Sequence, residues 1–151
     1  MSERPDRDAG ELRLERSIQA SAEDLFDAWT NAELLKRWWH AERDWETPSA
    51  EVDPRLGGLL RITMRNPVDG TEYGGSGEYT VLERPRRLAF TWTWDDDELA
   101  RRQLVEVEFI EQGPETTLVV VTNRGLPSEE IGDYREGWTA SLENLEDALA
   151  G

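Results

Sequence analysis

The stretch SEEIGDYREGWTASLENLEDAL, residues 128–149, decides the fold. Ser128 stands at its start as an N-cap. Ile131, Tyr134, Trp138, Leu142, Leu145 and Leu149 then follow at gaps of three, four, four, three and four residues. Those gaps put the apolar side chains on one face of an α-helix. At 1.5 Å per residue the helix is a rod about 33 Å long. A rod with one apolar face needs a surface to cover, and the residues before it supply a sheet.

Working back from the helix, residues 116–122, 103–110, 87–94 and 59–65 alternate apolar and polar side chains with the period of a half-buried strand. Their apolar sets are Leu118, Val120 and Thr122; Val105, Val107 and Phe109; Leu88, Phe90, Trp92 and Trp94; and Leu60, Ile62 and Met64. Residues 77–83 read as a further strand stopped by Pro85, and residues 51–53 as a short one ending at Pro54. Asn66-Pro67-Val68-Asp69-Gly70 and Gln112-Gly113-Pro114-Glu115 are turns, as are Asp95-Asp96-Asp97-Glu98 and Gly57-Gly58. Residues 40–48 read as loop. Such short turns favour antiparallel neighbours.

The chain opens with residues 1–10, a flexible acidic tail, and a strand at 11–18 that carries Leu12, Leu14 and Ile18 on one face. Ser21, with Asp24 three residues on, caps a helix bearing Leu25, Phe26, Ala28 and Trp29; Asn31 caps a second bearing Leu34, Leu35, Trp38 and Trp39. The reading is α+β: a curved antiparallel sheet of about six to seven strands around one long C-terminal helix, with two short helices after the first strand. Residues 11–151 make one domain, as suits a chain of 151 residues.

Composition narrows the function. There is no cysteine, which excludes disulfides and thiolate chemistry. The net charge of −16 disfavours nucleic acid and anionic membranes as partners. No apolar run is long enough to span a bilayer, and the charged start lacks a signal-peptide core, so the expected location is the cytoplasm. A single histidine, His40, cannot build a His-based metal cluster or a Ser-His triad. It reads as an exposed loop residue or as a group at a pocket mouth. No nucleophile–base pair stands out, so the expected catalytic, metal and cofactor sets are empty. A cyclase- or hydrolase-type enzyme would need a buried carboxylate facing a pocket. Glu78, Glu106 and Glu108 instead alternate onto the outer face.

A twisted sheet of seven strands is filled only in part by one helix. Large side chains fill the remainder, or a cavity stays open for a ligand. The seven tryptophans serve either arrangement. The expected wall comprises Met64, Tyr79, Phe90, Trp92, Trp94, Tyr134, Trp138 and Leu142, with Trp39 at the entrance. Tyr79, Tyr134, Thr122 and Ser141 are the polar groups that would orient a guest.

Several segments in order carry a resemblance: SAEDLFDAWT at 21–30 leading into LKRWW at 35–39, Gly57-Gly58 before Leu60-Arg61, GEY at 77–79, PRRLAFTW at 85–92, and Gly137-Trp138 with Leu142 and Leu145 behind. Together they resemble the activator of Hsp90 ATPase homologue 1-like domain of the START-like, or SRPBCC (Bet v 1-like), superfamily. That resemblance spans about residues 11–149 and implies the helix-grip fold with a hydrophobic tunnel between sheet and C-terminal helix. Eukaryotic relatives carry such a domain as a co-chaperone; other superfamily members bind lipids, polyketides or hormones, and a few are cyclases. Two positions depart from the pattern. His40-Ala41 stands where relatives often have Gly-Pro, and Asn123 where many have His. The expected function is binding of an apolar, aromatic or lipid-like small molecule, by a monomer or homodimer. The alternative is a co-chaperone-like protein-binding role.

Overall fold

A computed structural model describes residues 9–40, 42, 44–96 and 102–150. Most of the N-terminal tail, Ala41 and the Asp97-Glu98 half of the acidic turn lie outside the described residues. In chain order the elements are β1 (Ala9–Ile18), α1 (Ala22–Ala28), α2 (Ala32–Trp38), β2 (Glu46–Val52), β3 (Leu59–Arg65), β4 (Glu72–Glu83), β5 (Arg87–Trp94), β6 (Gln103–Gly113), β7 (Thr116–Pro127), a 3-10 turn (Ser128–Glu130) and α3 (Ile131–Ala150). The seven strands form one antiparallel sheet in the order β1-β7-β6-β5-β4-β3-β2. Only the β1–β7 neighbours are distant in sequence. That pairing closes the meander, and α1 and α2 lie in the crossing from β1 to β2.

The two short helices start where their caps dictate. Ser21 Oγ accepts from the Asp24 backbone N–H at 3.1 Å, and Asn31 Oδ1 accepts from the Leu34 N–H at 3.0 Å. Seven residues are too few to hold a helix alone; burial of Leu25 and Phe26 in α1 and of Leu35 and Trp38 in α2 supplies the rest.

Four local readings need correction. β2 begins at Glu46, inside the segment expected to be loop, and runs through Pro48. It tolerates a proline because it is an edge strand, and because its pairing with β3 skips from Glu46 to Ser49. β4 begins at Glu72 rather than Gly77, so Gly74 and Gly75 are strand residues paired with Thr63 and Ile62. A Cβ at Gly75 would stand 2.5 Å from Cζ2 of Trp92, so glycine here makes room for a ring instead of turning the chain. α3 begins at Ile131 after the 3-10 turn that contains Ser128, and its 20 residues make a rod of about 30 Å. Finally, Leu118, Val120 and Thr122 do not face the helix. Val105, Val107 and Phe109 pair with Asn123, Val121 and Val119, and those form the inner face of β7.

Tryptophans fill the space under α1 and α2. Trp29 is the hub, with ring centroids at 4.5 Å from Trp38, 6.1 Å from Trp39, 6.4 Å from Phe90 and 5.7 Å from Trp138. Trp38 Nε1 donates to the Ala28 carbonyl at 3.0 Å, and the Tyr79 hydroxyl donates to the Trp29 carbonyl at 3.0 Å. Both bonds fasten the short helices to the core. At the other end of α3, Arg16 on β1 donates through Nε and Nη2 to Glu146 Oε1 at 3.2 and 2.7 Å.

Candidate functional site

α3 enters the concave side with Trp138, Ser141, Leu142, Asn144 and Leu145 buried. Two of its polar residues dock the end of α2. Ser141 Oγ donates to the His40 carbonyl at 2.9 Å, and Asn144 Nδ2 reaches the Trp38 and His40 carbonyls at 3.4 and 3.3 Å. The last carbonyls of a helix have no partner within it, and this docking adds donors at the Trp38 carbonyl and at the His40 carbonyl just beyond the helix. His40 is buried, contrary to the exposed loop position expected for it. Its Nδ1 lies 3.2 Å from Thr47 Oγ1, which donates its own proton to the Trp39 carbonyl. The imidazole therefore donates from Nδ1. Desolvation lowers its pKa below the ordinary 6.5 and so disfavours its charged form.

Beyond the tryptophan hub the concave side stays open. A cavity of about 280 Å³ lies between α3 and strands β3 to β7, lined by Trp39, Trp45, Met64, Tyr73, Trp92, Trp94, Gln103, Val105, Asn123, Asp133, Tyr134, Gly137, Trp138 and Ser141. Of the residues expected at the wall, the structure brings together Met64, Trp92, Trp94, Tyr134 and Trp138, with Ser141 among the polar candidates. Trp39, expected at the entrance, also lines the cavity but is buried against Trp29, Trp92 and Trp138. Tyr79, Phe90 and Leu142 lie instead in the closed core, each 1% exposed. Tyr79 turns its hydroxyl to the Trp29 carbonyl, and burial holds its phenol above the ordinary range. Thr122 is on the opposite face of β7.

Five side chains of the wall are joined by hydrogen bonds. Trp138 Nε1 donates to Asn123 Oδ1 at 3.0 Å, Asn123 Nδ2 to Gln103 Oε1 at 3.1 Å, and Gln103 Nε2 to Tyr134 Oη at 2.8 Å. Trp94 Nε1 also donates to Tyr134 Oη, at 2.7 Å. This relay ties α3 to β7, β6 and β5, and commits the indole N–H groups of Trp94 and Trp138. Its centre, Asn123, stands in the sequence only as a departure from the family pattern, not as a wall residue. Val119, Val120 and Val121 make a continuous apolar run, so alternation could not say which face of β7 turns inward. The mouth was missed as well. Trp45 and Tyr73 stack there with centroids 5.3 Å apart and planes 8° from parallel; Trp45 falls in the segment read as loop, and Tyr73 between the turn at 66–70 and the strand at 77–83. Among the described residues no group of three His, Asp or Glu side chains could hold a metal ion. Among the described residues no helix is long and apolar enough to cross a membrane.

A family model described as Activator of Hsp90 ATPase homolog 1-like protein matches residues 19–150. The chain belongs to this family. A solved AHSA1 protein from Silicibacter pomeroyi is 32% identical to this AHSA1-like chain, with a TM-score of 0.80, covering 93% of this chain and 98% of that one. A protein from Chromobacterium violaceum shares the fold at 22% identity and a TM-score of 0.83, covering 91% and 94%. An HSP90 activator from Plasmodium falciparum shares it at 24% and 0.73, covering 93% and 96%. No curated protein gives a significant sequence match. The seven-stranded sheet, long C-terminal helix and two early helices are those of the AHSA1-like, helix-grip fold.

Proposed function

We propose that the chain binds an apolar, aromatic small molecule between sheet and α3. The observation that carries this is the composition of the cavity wall: seven of its fourteen described residues are aromatic. An apolar cavity of about 150 Å³ takes one benzene ring, so about 280 Å³ suits two rings or one ring with a compact branched substituent. A guest that gives up about 225 Å² of apolar surface gains roughly 5–6 kcal/mol at about 25 cal/mol per Å². That corresponds to a dissociation constant near 0.1 mM, roughly, before any polar contact.

Gly137 offers the test. It lines the cavity from α3, and glycine inside a helix costs about 1 kcal/mol against better helix formers. Gly137→Leu is therefore expected to place a side chain in the cavity while favouring the helix. Calorimetric titration with 3-tert-butylphenol is expected to show binding to the parent chain and at least about tenfold weaker binding to the variant, with the melting temperature kept or raised. Equal binding by both chains would place the guest elsewhere.

A second reading, a co-chaperone-like role, draws on the family description and on the Plasmodium falciparum HSP90 activator that shares the fold. The net charge of −16 favours a basic protein surface as its partner. Adding the chain to the Hsp90 of its own source organism and following ATP turnover tests it. Acceleration that fades with salt supports the role, and an unchanged rate removes it.

A further inference from the structure

The cavity wall sorts guests by charge as well as by shape. Among the described lining residues Asp133 carries the one formal charge, and no lining residue is basic. Seven of the fourteen described lining residues are indole or phenol rings, whose faces carry the negative lobe of the ring quadrupole; the other six are neutral. Two indole donors that an anion would need, those of Trp94 and Trp138, are already committed to the relay. The chain as a whole carries −16, and a low-dielectric cleft in such a field concentrates cations and repels anions.

We infer that the natural guest is an organic cation, an aryl or alkyl quaternary ammonium compound, with its charge held against the tryptophan faces and Asp133 at the rim. This rests on the reading of the cavity as a ligand site and names the ligand class. The alternatives are weaker on physical grounds. A primary ammonium is strongly hydrated and has three N–H donors; Asp133 at the rim leaves the remaining donors to face apolar rings, which is costly. A quaternary nitrogen has no N–H to satisfy, and its methyl groups pack on the rings while its charge is stabilised by their π faces. A carboxylate or phosphate would meet both the net charge and Asp133 with the wrong sign.

The test uses two probes of one shape that differ only in charge: 3-hydroxyphenyltrimethylammonium and 3-tert-butylphenol. Calorimetry on the full chain is expected to give the cation about tenfold higher affinity, a margin that narrows as salt is added. In Asp133→Asn, an exposed position outside the core, the cation should lose about threefold while the neutral probe is unaffected. If the neutral probe binds as well as the cation or better, the charge assignment falls and the cavity reading stands. If neither probe binds, both fall. If the cation keeps its full margin in Asp133→Asn, the role given to Asp133 is overturned.

Discussion

Trp29 and Trp38 sit side by side in the core with opposite hydrogen-bonding fates. Trp38 donates its indole N–H to the Ala28 carbonyl, whereas the Trp29 N–H is, among the described residues, a buried side-chain donor with no acceptor. Trimming each to phenylalanine removes a similar volume, but only at Trp38 does it remove a made bond. Trp38→Phe should therefore cost about 1–2 kcal/mol more than Trp29→Phe in urea unfolding; equal losses would show that the Ala28 bond contributes nothing net. His40 gives a pH signature. Its folded pKa is lowered by desolvation, while the unfolded chain keeps the ordinary value near 6.5. As pH falls through that value the unfolded chain takes up a proton that the folded chain resists, so stability is full above it and declines below. Because His40 is the sole histidine, the urea midpoint should drop between pH 7.5 and 5.5, and His40→Gln should flatten that drop. A slope that survives the substitution would assign it to another group.

At the level of elements, β3, β5, both short helices and the apolar face of α3 were legible because period and caps agree there. Elements went unread where a local rule lost to a tertiary one. Pro48 ends an interior strand but not an edge strand with a register skip. Gly74-Gly75 stays outside the strand read at 77–83 until Trp92 is placed across Gly75. The valine run at 119–121 hides the inward face of β7, and with it Asn123. These overrides can be tested singly. Gly75→Ala forces a methyl to 2.5 Å from the Trp92 ring and 2.9 Å from the Thr93 carbonyl oxygen, within a strand whose φ poses no obstacle. The expected cost is about 1–3 kcal/mol, as for overpacking elsewhere, with a change in near-ultraviolet circular dichroism as Trp92 moves. Gain of stability, the usual result of replacing glycine in a strand, would mean that the ring yields freely.

Over the whole molecule, one helix lies across seven strands, and large rings close only one part of the space between them. Under α1 and α2 the tryptophan hub fills the concavity; toward β3 to β7 the same residue type forms a wall around a space of about 280 Å³. A count of seven tryptophans could not divide them between plug and wall, because that depends on where two seven-residue helices settle. The relay from Trp138 to Tyr134 braces the open part, so that aromatic surface can border a cavity without collapsing into it. The tryptophans that divide between the two parts also report on them. Indole N–H resonances in a ¹⁵N-labelled sample, followed during titration with 3-hydroxyphenyltrimethylammonium, read every tryptophan at once. The resonances of Trp39, Trp45, Trp92, Trp94 and Trp138 should shift in saturable fashion, while those of Trp29 and Trp38 stay nearly fixed. Shifts confined to Trp29 and Trp38, or no saturable shift at any of the seven, would contradict a ligand site between the sheet and the C-terminal helix.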